Sequence, residues 1–573
     1  MTNAQPLATA VADLVRRMLP EGFADAAIVA AACEWTVRAI ADGNACVPLS
    51  RLAGQPLDGR SEPDDDADET DGADAGKSAA PGPDAPAFPA EDALADLLRN
   101  ASLVVFDAAS GGDPAASAAP FVLDGGRLYT RRNHRCERRI RQRLADIKDR
   151  PPDPVPDDPG LLAGLTNEQR AAVELLCTAP FSILSGGPGT GKTFTLARAV
   201  MLARKGNPSL RLRLAAPTGK ASARMKESLL AACVASGADV PDHVEACTLH
   251  KLLGVNPVNG RVKYGPGREL PVDWLAVDEA SMVDLLLFGR LLDALPSGAR
   301  LTLIGDKDQL ASVERGCVLR DLCDAGHPVA RLTQSKRFPP DGAIAKFAAA
   351  VNAGDPDGAV ERLRAGDADL VWTEHPADGV DAGPDAWPGF RDAVVRGFAA
   401  FAATRTPADA LAHVADARVL CAVRKGPYGV ERANEFVRSA LARDAPLPVM
   451  VTKNDAEQDV RNGDLGVILP SDRETVWLEA SEPDAPPRAV PRLLLPDLEP
   501  AFATTVHKSQ GSEFGTVSIV LPRSAESPLL TREILYTAVT RTRKDVRLWA
   551  SEASVRRCAE RAVDRSSGLA ARS

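Results

Sequence analysis

The chain opens with apolar residues at helical spacing. Residues 6–19 and 25–42 each carry one such stripe and predict two helices, and 91–100 predicts a third. The unbroken run Leu103-Val104-Val105-Phe106 predicts a strand. Residues 121–129 predict a hairpin turning at Asp124-Gly125-Gly126. Residues 131–150 predict a highly basic helix, suited to a phosphate or a protein partner and equally to plain solvation. From 161 to about 340 the rhythm changes. Short apolar strands at Ile183-Leu184, 212–215, 274–277 and 301–304 alternate with helical stretches, as in the βαβ units of a parallel sheet. A second strand series follows at 418–421, 449–451, 466–469, 517–521 and 546–550. Pro-rich stretches at 151–159 and 374–388 mark boundaries. The pattern predicts an α/β protein: two parallel-sheet units behind a mainly helical N-terminal domain at 1–150.

Composition changes this picture in three places. No apolar run approaches the ~20 residues that span a bilayer, and the N-terminus lacks a signal pattern, so a cytoplasmic protein is expected. Ten cysteines lie singly, without a C-x-x-C or zinc spacing, and read as reduced core residues. The net charge of −10 looks wrong for a nucleic-acid partner. However, residues 61–92 hold eleven acids and one base, so the rest of the chain is neutral and can carry a basic groove. That segment is rich in Asp, Ala, Pro and Gly, and is expected to be a disordered acidic insertion.

Candidate chemistry begins at Gly186-Gly187-Pro188-Gly189-Thr190-Gly191-Lys192-Thr193, a G-x-x-x-x-G-K-[ST] loop between a strand and a helix. Glycines let successive N–H groups turn toward a phosphate, and the helix N-terminus adds partial positive charge. Lys192 is placed for the β/γ oxygens and Thr193 for Mg²⁺, so ATP and Mg²⁺ are the expected ligands. Trp274-Leu275-Ala276-Val277-Asp278-Glu279 supplies a strand ending in carboxylates, 86 residues after Lys192 and expected on a neighbouring strand. Asp278 would hold Mg²⁺ or its water, and Glu279 would act as general base. Gln309, at the tip of the next strand, is a candidate γ-phosphate sensor. Gln169 can read adenine through its amide, while a helix cap at Thr166 or Asn167 explains the same residues without a ligand. Arg337 and Arg541 are candidates for the arginine that phosphoryl transfer needs.

The order of these segments resembles superfamily-one helicases, and closely the RecD family, the alpha subunits of exodeoxyribonuclease V. The matching pieces run from 165–169 through 186–193, 215–221, 248–250, 277–282, 305–310, 334–338, 420–429 and 504–514 to 536–541. Among them, Val506-His507-Lys508-Ser509-Gln510-Gly511-Ser512-Glu513-Phe514 is the most diagnostic. Thr542 stands where related helicases commonly carry Ala, and the acidic insertion lies outside the family pattern. The resemblance implies two RecA-like domains, at 161–335 and 336–560, with a β-hairpin insertion near 255–272, an SH3-like insertion near 450–500 and a flexible tail at 561–573. It implies 5′→3′ helicase activity on DNA, with Pro217, Thr218, Thr248, His250, Asn434, Thr505, His507 and Lys508 along the DNA path. For Thr248 and His250, capping and packing of a helix is the competing reading.

The same resemblance implies a heterotrimer with RecB-like and RecC-like subunits that processes double-strand breaks, with single-stranded and duplex-end DNA as substrates. No nuclease carboxylate–lysine constellation is evident here, so cleavage is expected in the beta subunit. A stand-alone RecD-like helicase and a non-catalytic ATP-binding scaffold remain the alternatives.

Overall fold

The computed structural model describes residues 5–57 and 86–570, except 114–115, 155–157, 236–243, 258, 313–314, 376–382, 384–386, 456, 480–484 and 496. The expected disorder at 61–92 falls mostly outside the described residues. Among the described residues no helix is long and apolar enough to cross a membrane, and all ten cysteines are free.

The N-terminal domain pairs helices Gln5–Met18 and Ala26–Ala41, adds Glu91–Asn100, and covers a four-stranded sheet. Its hairpin, Phe121–Asp124 with Arg127–Thr130, turns at Gly125 and Gly126, whose φ values of +54° and +70° suit residues without a Cβ. The basic helix forms as Arg131–Lys148, and its apolar stripe of Ile140, Leu144 and Ile147 is buried in the core of the next domain. There it lies along helix Leu285–Ala294. Arg143 donates to the Leu292 and Leu295 carbonyls at 3.2 and 2.7 Å, and Arg139 pairs with Asp293. Cations at a helix C-terminus complement its dipole. These arginines therefore fasten two domains together.

The first α/β domain is built on six parallel strands. In spatial order they are Val329–Leu332, Phe181–Gly186, Arg300–Gly305, Trp274–Val277, Leu212–Ala216 and Glu245–Thr248. The central strands read as continuous apolar runs because helices cover both faces. Ile183, Leu275, Val277, Leu301 and Leu303 fill one core, while Leu184, Leu214, Trp274, Ala276 and Ile304 fill the other. One correction follows from the strand order. The strand ending at Asp278 is not next to the phosphate-loop strand, because Arg300–Gly305 lies between them. That places Asp306, at the tip of the intervening strand, beside the loop.

The second α/β domain has five parallel strands in the order Leu370–Thr373, Thr542–Trp549, Phe514–Val520, Ala417–Cys421 and Ala503–Thr505. Leu447–Val451 and Leu465–Leu469 do not join it. They belong to a separate antiparallel sheet of five strands spanning 447–500, where the SH3-like insertion is expected. Segment 255–272 contains no strand among its described residues. It is a compact loop with a turn closed by Gly260 N–H on Asn256 and a single bridge between Gly265 and Arg268.

The C-terminal segment is not a free tail over 562–570. Ser566 accepts from the Ala45 N–H at 2.9 Å, and its own N–H donates to Asn44 at 2.8 Å. The Gly568 N–H donates to the buried Glu137 carboxylate, and Leu569 enters the core of the first α/β domain. Buried acceptors in the N-terminal domain need these donors, which gives the segment a fixed path.

Candidate active site and nucleic-acid path

The phosphate loop follows strand Phe181–Gly186 and opens helix Lys192–Gly206. Gly189 and Gly191 have φ of +77° and +87°, the left-handed conformation that lets the backbone wrap around a phosphate. Thr190 donates to the Gly187 carbonyl at 2.9 Å and fixes the curl. Lys192 Nζ lies inside the loop, donating to the Gly186 and Gly187 carbonyls at 2.6 and 3.0 Å. Thr193 follows it at the helix start.

Asp278 directly follows strand Trp274–Val277, and its Oδ1 accepts from the Glu279 N–H at 2.8 Å. Burial and the adjacent Glu279 carboxylate push the Asp278 carboxyl up to about 6, against the pull of Lys192. Glu279 has φ of +49°, one of two non-glycine residues in the left-handed region among those described. Such backbone costs about 1–3 kcal/mol and persists where the surroundings impose it. Asp306 is a residue that sequence reasoning missed. Its buried Oδ2 accepts from Gln309 Nε2 and from the Tyr536 hydroxyl, each at 3.0 Å. Burial raises its carboxyl above the ordinary range despite Lys192.

Tyr536 belongs to the second α/β domain, and the cleft between the domains is stitched by further bonds. Arg541 donates from Nη2 to Gln309 Oε1 at 2.6 Å. Thr537 accepts from the Leu310 N–H at 3.0 Å, and Gln510 donates to the Leu310 carbonyl at 2.8 Å. Segment 335–337 lies against the phosphate loop: Lys336 N–H donates to Gly189 and Ser335 Oγ to Pro188, at 2.8 and 3.0 Å. The Arg337 guanidinium reaches the Thr540 carbonyl at 3.1 Å and pairs with Glu513, which also holds Arg224 at 2.6 Å. Thus Lys192, Gln309, Arg337 and Arg541 converge although 349 residues separate the first from the last.

Gln169 forms a full capping box with Thr166, its N–H and Oε1 each engaged at 3.2 Å. Its Nε2 still faces Gly191, 3.0 Å from where a Cβ would stand. The cap is present, and a bidentate contact to adenine would share Oε1 with it.

The residues expected on the DNA path collect at the C-terminal ends of both sheets. Ala216 and Thr248 are in register, so Pro217-Thr218 and Thr248 share one edge. Thr218 caps the helix that follows through the Ala221 N–H, Thr248 caps Leu249–Leu253 through the Lys251 N–H, and His250 is exposed. In the second domain Thr505 is in register with Cys421. His507 is half-buried, and burial together with Arg565 lowers its pKa. Lys508 donates to Glu499 at 3.0 Å. Asn434 is buried, and its amide bonds both the N–H and the carbonyl of Ala503, so it braces that strand.

A phosphate loop, a carboxylate strand and arginines supplied across a cleft between two parallel-sheet domains define a two-domain motor ATPase of the P-loop class. The chain matches the AAA domain family over 164–368, the UvrD-like helicase C-terminal domain over 500–549 and the RecBCD enzyme subunit RecD N-terminal domain over 4–129. It is 40% identical to the RecBCD enzyme subunit RecD of Mycolicibacterium smegmatis, over 74% of this chain and 78% of that one. It is 39% identical to that of Mycobacterium tuberculosis, over 83% and 87%. It is 31% identical to the ATP-dependent RecD2 DNA helicase of Deinococcus radiodurans, over 75% of this chain and 56% of that protein. The chain belongs to the RecD family and is an ATP-dependent DNA helicase by that membership.

Proposed function

We propose that this chain moves 5′→3′ along single-stranded DNA by closing and reopening the cleft between its two motor domains, as the alpha subunit of a heterotrimer with RecB-like and RecC-like partners. The Arg541–Gln309 contact carries the reading, since it ties the predicted phosphate sensor of one domain to an arginine of the other. Lys192, Thr190 and the loop N–H groups bind the triphosphate. The hydroxyl of Thr193 and the carboxylate of Asp278 fit a Mg²⁺ that keeps most of its ligands from phosphate and water. When bound, the ion neutralises charge on the β/γ oxygens. Glu279 takes the proton of the attacking water, and Arg337 and Arg541 stabilise the developing charge. For that, Arg337 must exchange Glu513 for phosphate, which couples the site to segment 506–514.

Pro217, Thr218, Thr248 and His250 on the first domain, and Thr505, His507 and Lys508 on the second, alternate their grip on the strand as the cleft works. Hydroxyls, amides and ammonium groups hold phosphates without reading sequence. The N-terminal domain carries the partner contacts, and DNA cleavage resides in the beta subunit. This work on chromosomal DNA ends belongs in the cytoplasm.

The test is unwinding of 5′- and 3′-tailed duplexes by the purified chain, followed by co-purification from its native cell. Opening of 5′-tailed duplexes is expected, with RecB-like and RecC-like chains recovered together. Strict preference for 3′ tails overturns the polarity.

A further inference from the structure

Segment 561–569 leaves the second motor domain and returns to the first and to the N-terminal domain. Over 561–567 it is neither helix nor strand, and single residues fasten it to the three domains in turn. The Arg561 carbonyl accepts from the Arg532 N–H at 2.7 Å. Val563 is the crossing point. Its N–H donates to Glu533 of the second motor domain at 2.9 Å, and its carbonyl accepts from Arg320 of the first at 3.2 Å. Arg320 and Glu533 also pair with each other at 2.7 Å, and Glu533 is buried. Asp564 then pairs with Arg51, and the Arg565 guanidinium donates to the Ser312 carbonyl. Ser566 and Gly568 take the N-terminal partners described above, Asn44 and Glu137.

We propose that this segment is a strap that limits how far the second motor domain opens from the first, and so fixes the stroke of each ATP cycle. The proposal rests on the cleft motion described under the helicase reading and names what bounds it. Three observations carry it. First, the reach is short. From Val563 to Ser566 the chain advances three residues, at most about 11 Å when fully extended. Opening that takes the Glu533 end farther than this from the Asn44 end must break an anchor. Second, the far end is hard to release. Lifting it takes the Ser567 hydroxyl and the Gly568 N–H from the buried Glu137 carboxylate, and draws Leu569 out of an apolar core. Third, the near end sits on helix Arg532–Val539, which also carries Tyr536 and Thr537 onto Asp306 and Leu310 of the first motor domain. A pull on Val563 therefore falls on the element that closes the cleft.

The experiment uses the full chain with one fluorophore on each motor domain, attached through unnatural amino acids at the exposed positions of Glu227 and Glu361. Energy transfer is read without nucleotide, with ADP, and with ADP–aluminium fluoride plus single-stranded DNA. In one variant eight Gly/Ser residues are inserted between Val563 and Asp564. This keeps every anchor and adds about 16 Å of mean reach, so the thermal midpoint should match the parent's. In a second variant, Gly568→Val, the new Cβ collides with the Tyr129 hydroxyl and stands 2.6 Å from Glu137 Oε2, which frees the far end. In the state where the parent is most open, both variants should open wider, by up to about 16 Å for the lengthened strap. With the aluminium fluoride complex both should return to the parental distance. Base pairs unwound per ATP should fall in both. If the parent's cleft moves and the lengthened strap keeps its distances in every state, or opens wider yet unwinds as many base pairs per ATP, the strap assignment is overturned and the helicase reading stands. If the parent's distance is the same in all states, both fall.

Discussion

The Arg541 guanidinium donates from Nη2 to the Gln309 side-chain carbonyl at 2.6 Å, across 232 residues of sequence and the cleft between two domains. Arg541 is 4% exposed, and its other donors reach the Thr537 and Ser512 carbonyls. Gln309 turns its amide nitrogen to Asp306, which also receives the Tyr536 hydroxyl. A change at the phosphates thus reaches the second domain through one chain of hydrogen bonds. Each bond that involves a charged group contributes on the order of 1.5–3 kcal/mol.

Replacing Arg541 with Ala should lower kcat for ATP about a thousandfold or more, the range seen for arginines that stabilise phosphoryl transfer. Lys at this position should not rescue, because its point charge cannot serve Gln309, Thr537 and Ser512 at once. Nucleotide affinity should change little, since Lys192 and the loop remain. Steady-state ATPase with equilibrium nucleotide binding checks this; a kcat within tenfold of the parent would remove Arg541 from the chemistry.

Lys192→Gln removes the charge and leaves a polar side chain one atom shorter. Among the described residues the Lys192 ammonium donates only to the Gly186 and Gly187 carbonyls, so the fold should survive. ATPase and unwinding should be lost. DNA-stimulated hydrolysis persisting in this variant contradicts the assignment of the loop.

The strands of both motor domains were legible because parallel strands covered on two faces leave unbroken apolar runs, as at Trp274–Val277. The phosphate loop and the Asp278-Glu279 pair were legible because their chemistry is local. Strand order was not, and neither was Asp306. Its segment was visible, but its role depends on Tyr536, 230 residues away, which no local pattern announces. The segment after 560 looked like a tail for the same reason: its anchors Asn44 and Glu137 lie more than 400 residues upstream. Asn434 reads as a DNA contact in its motif, yet its amide is spent on Ala503, a pairing only the fold creates.

Gly189 is where segment 335–337 packs directly on the phosphate loop. A Cβ there would stand 2.5 Å from Arg337 Cβ and 3.0 Å from Ser335 Oγ, and the backbone has φ of +77°. Gly189→Ala should therefore push segment 335–337 off the loop. We expect a loss of ATPase larger than the loss of nucleotide binding, because Arg337 is displaced while Lys192 stays. Equal losses of both would mean the loop itself had collapsed.

The C-terminal segment should respond to pH through Asp321. Burial pushes this carboxyl up to about 7, against a hydrogen bond with Ser567 and with the help of nearby Glu137, itself raised by burial. One Asp321 oxygen lacks a hydrogen-bond partner. The folded-state pKa lies above the unfolded value of about 3.9, so the folded chain binds this proton more tightly. The stability it contributes is complete below pH 4 and is lost as pH rises to 7, at no more than about 1.4 kcal/mol per pH unit for one proton. Asp321→Asn cannot ionise and should flatten that part of the profile. Thermal midpoints of parent and variant between pH 5 and 8 should converge at the acid end, with the variant ahead at the alkaline end. Parallel profiles would show that Asp321 is already ionised in the folded chain.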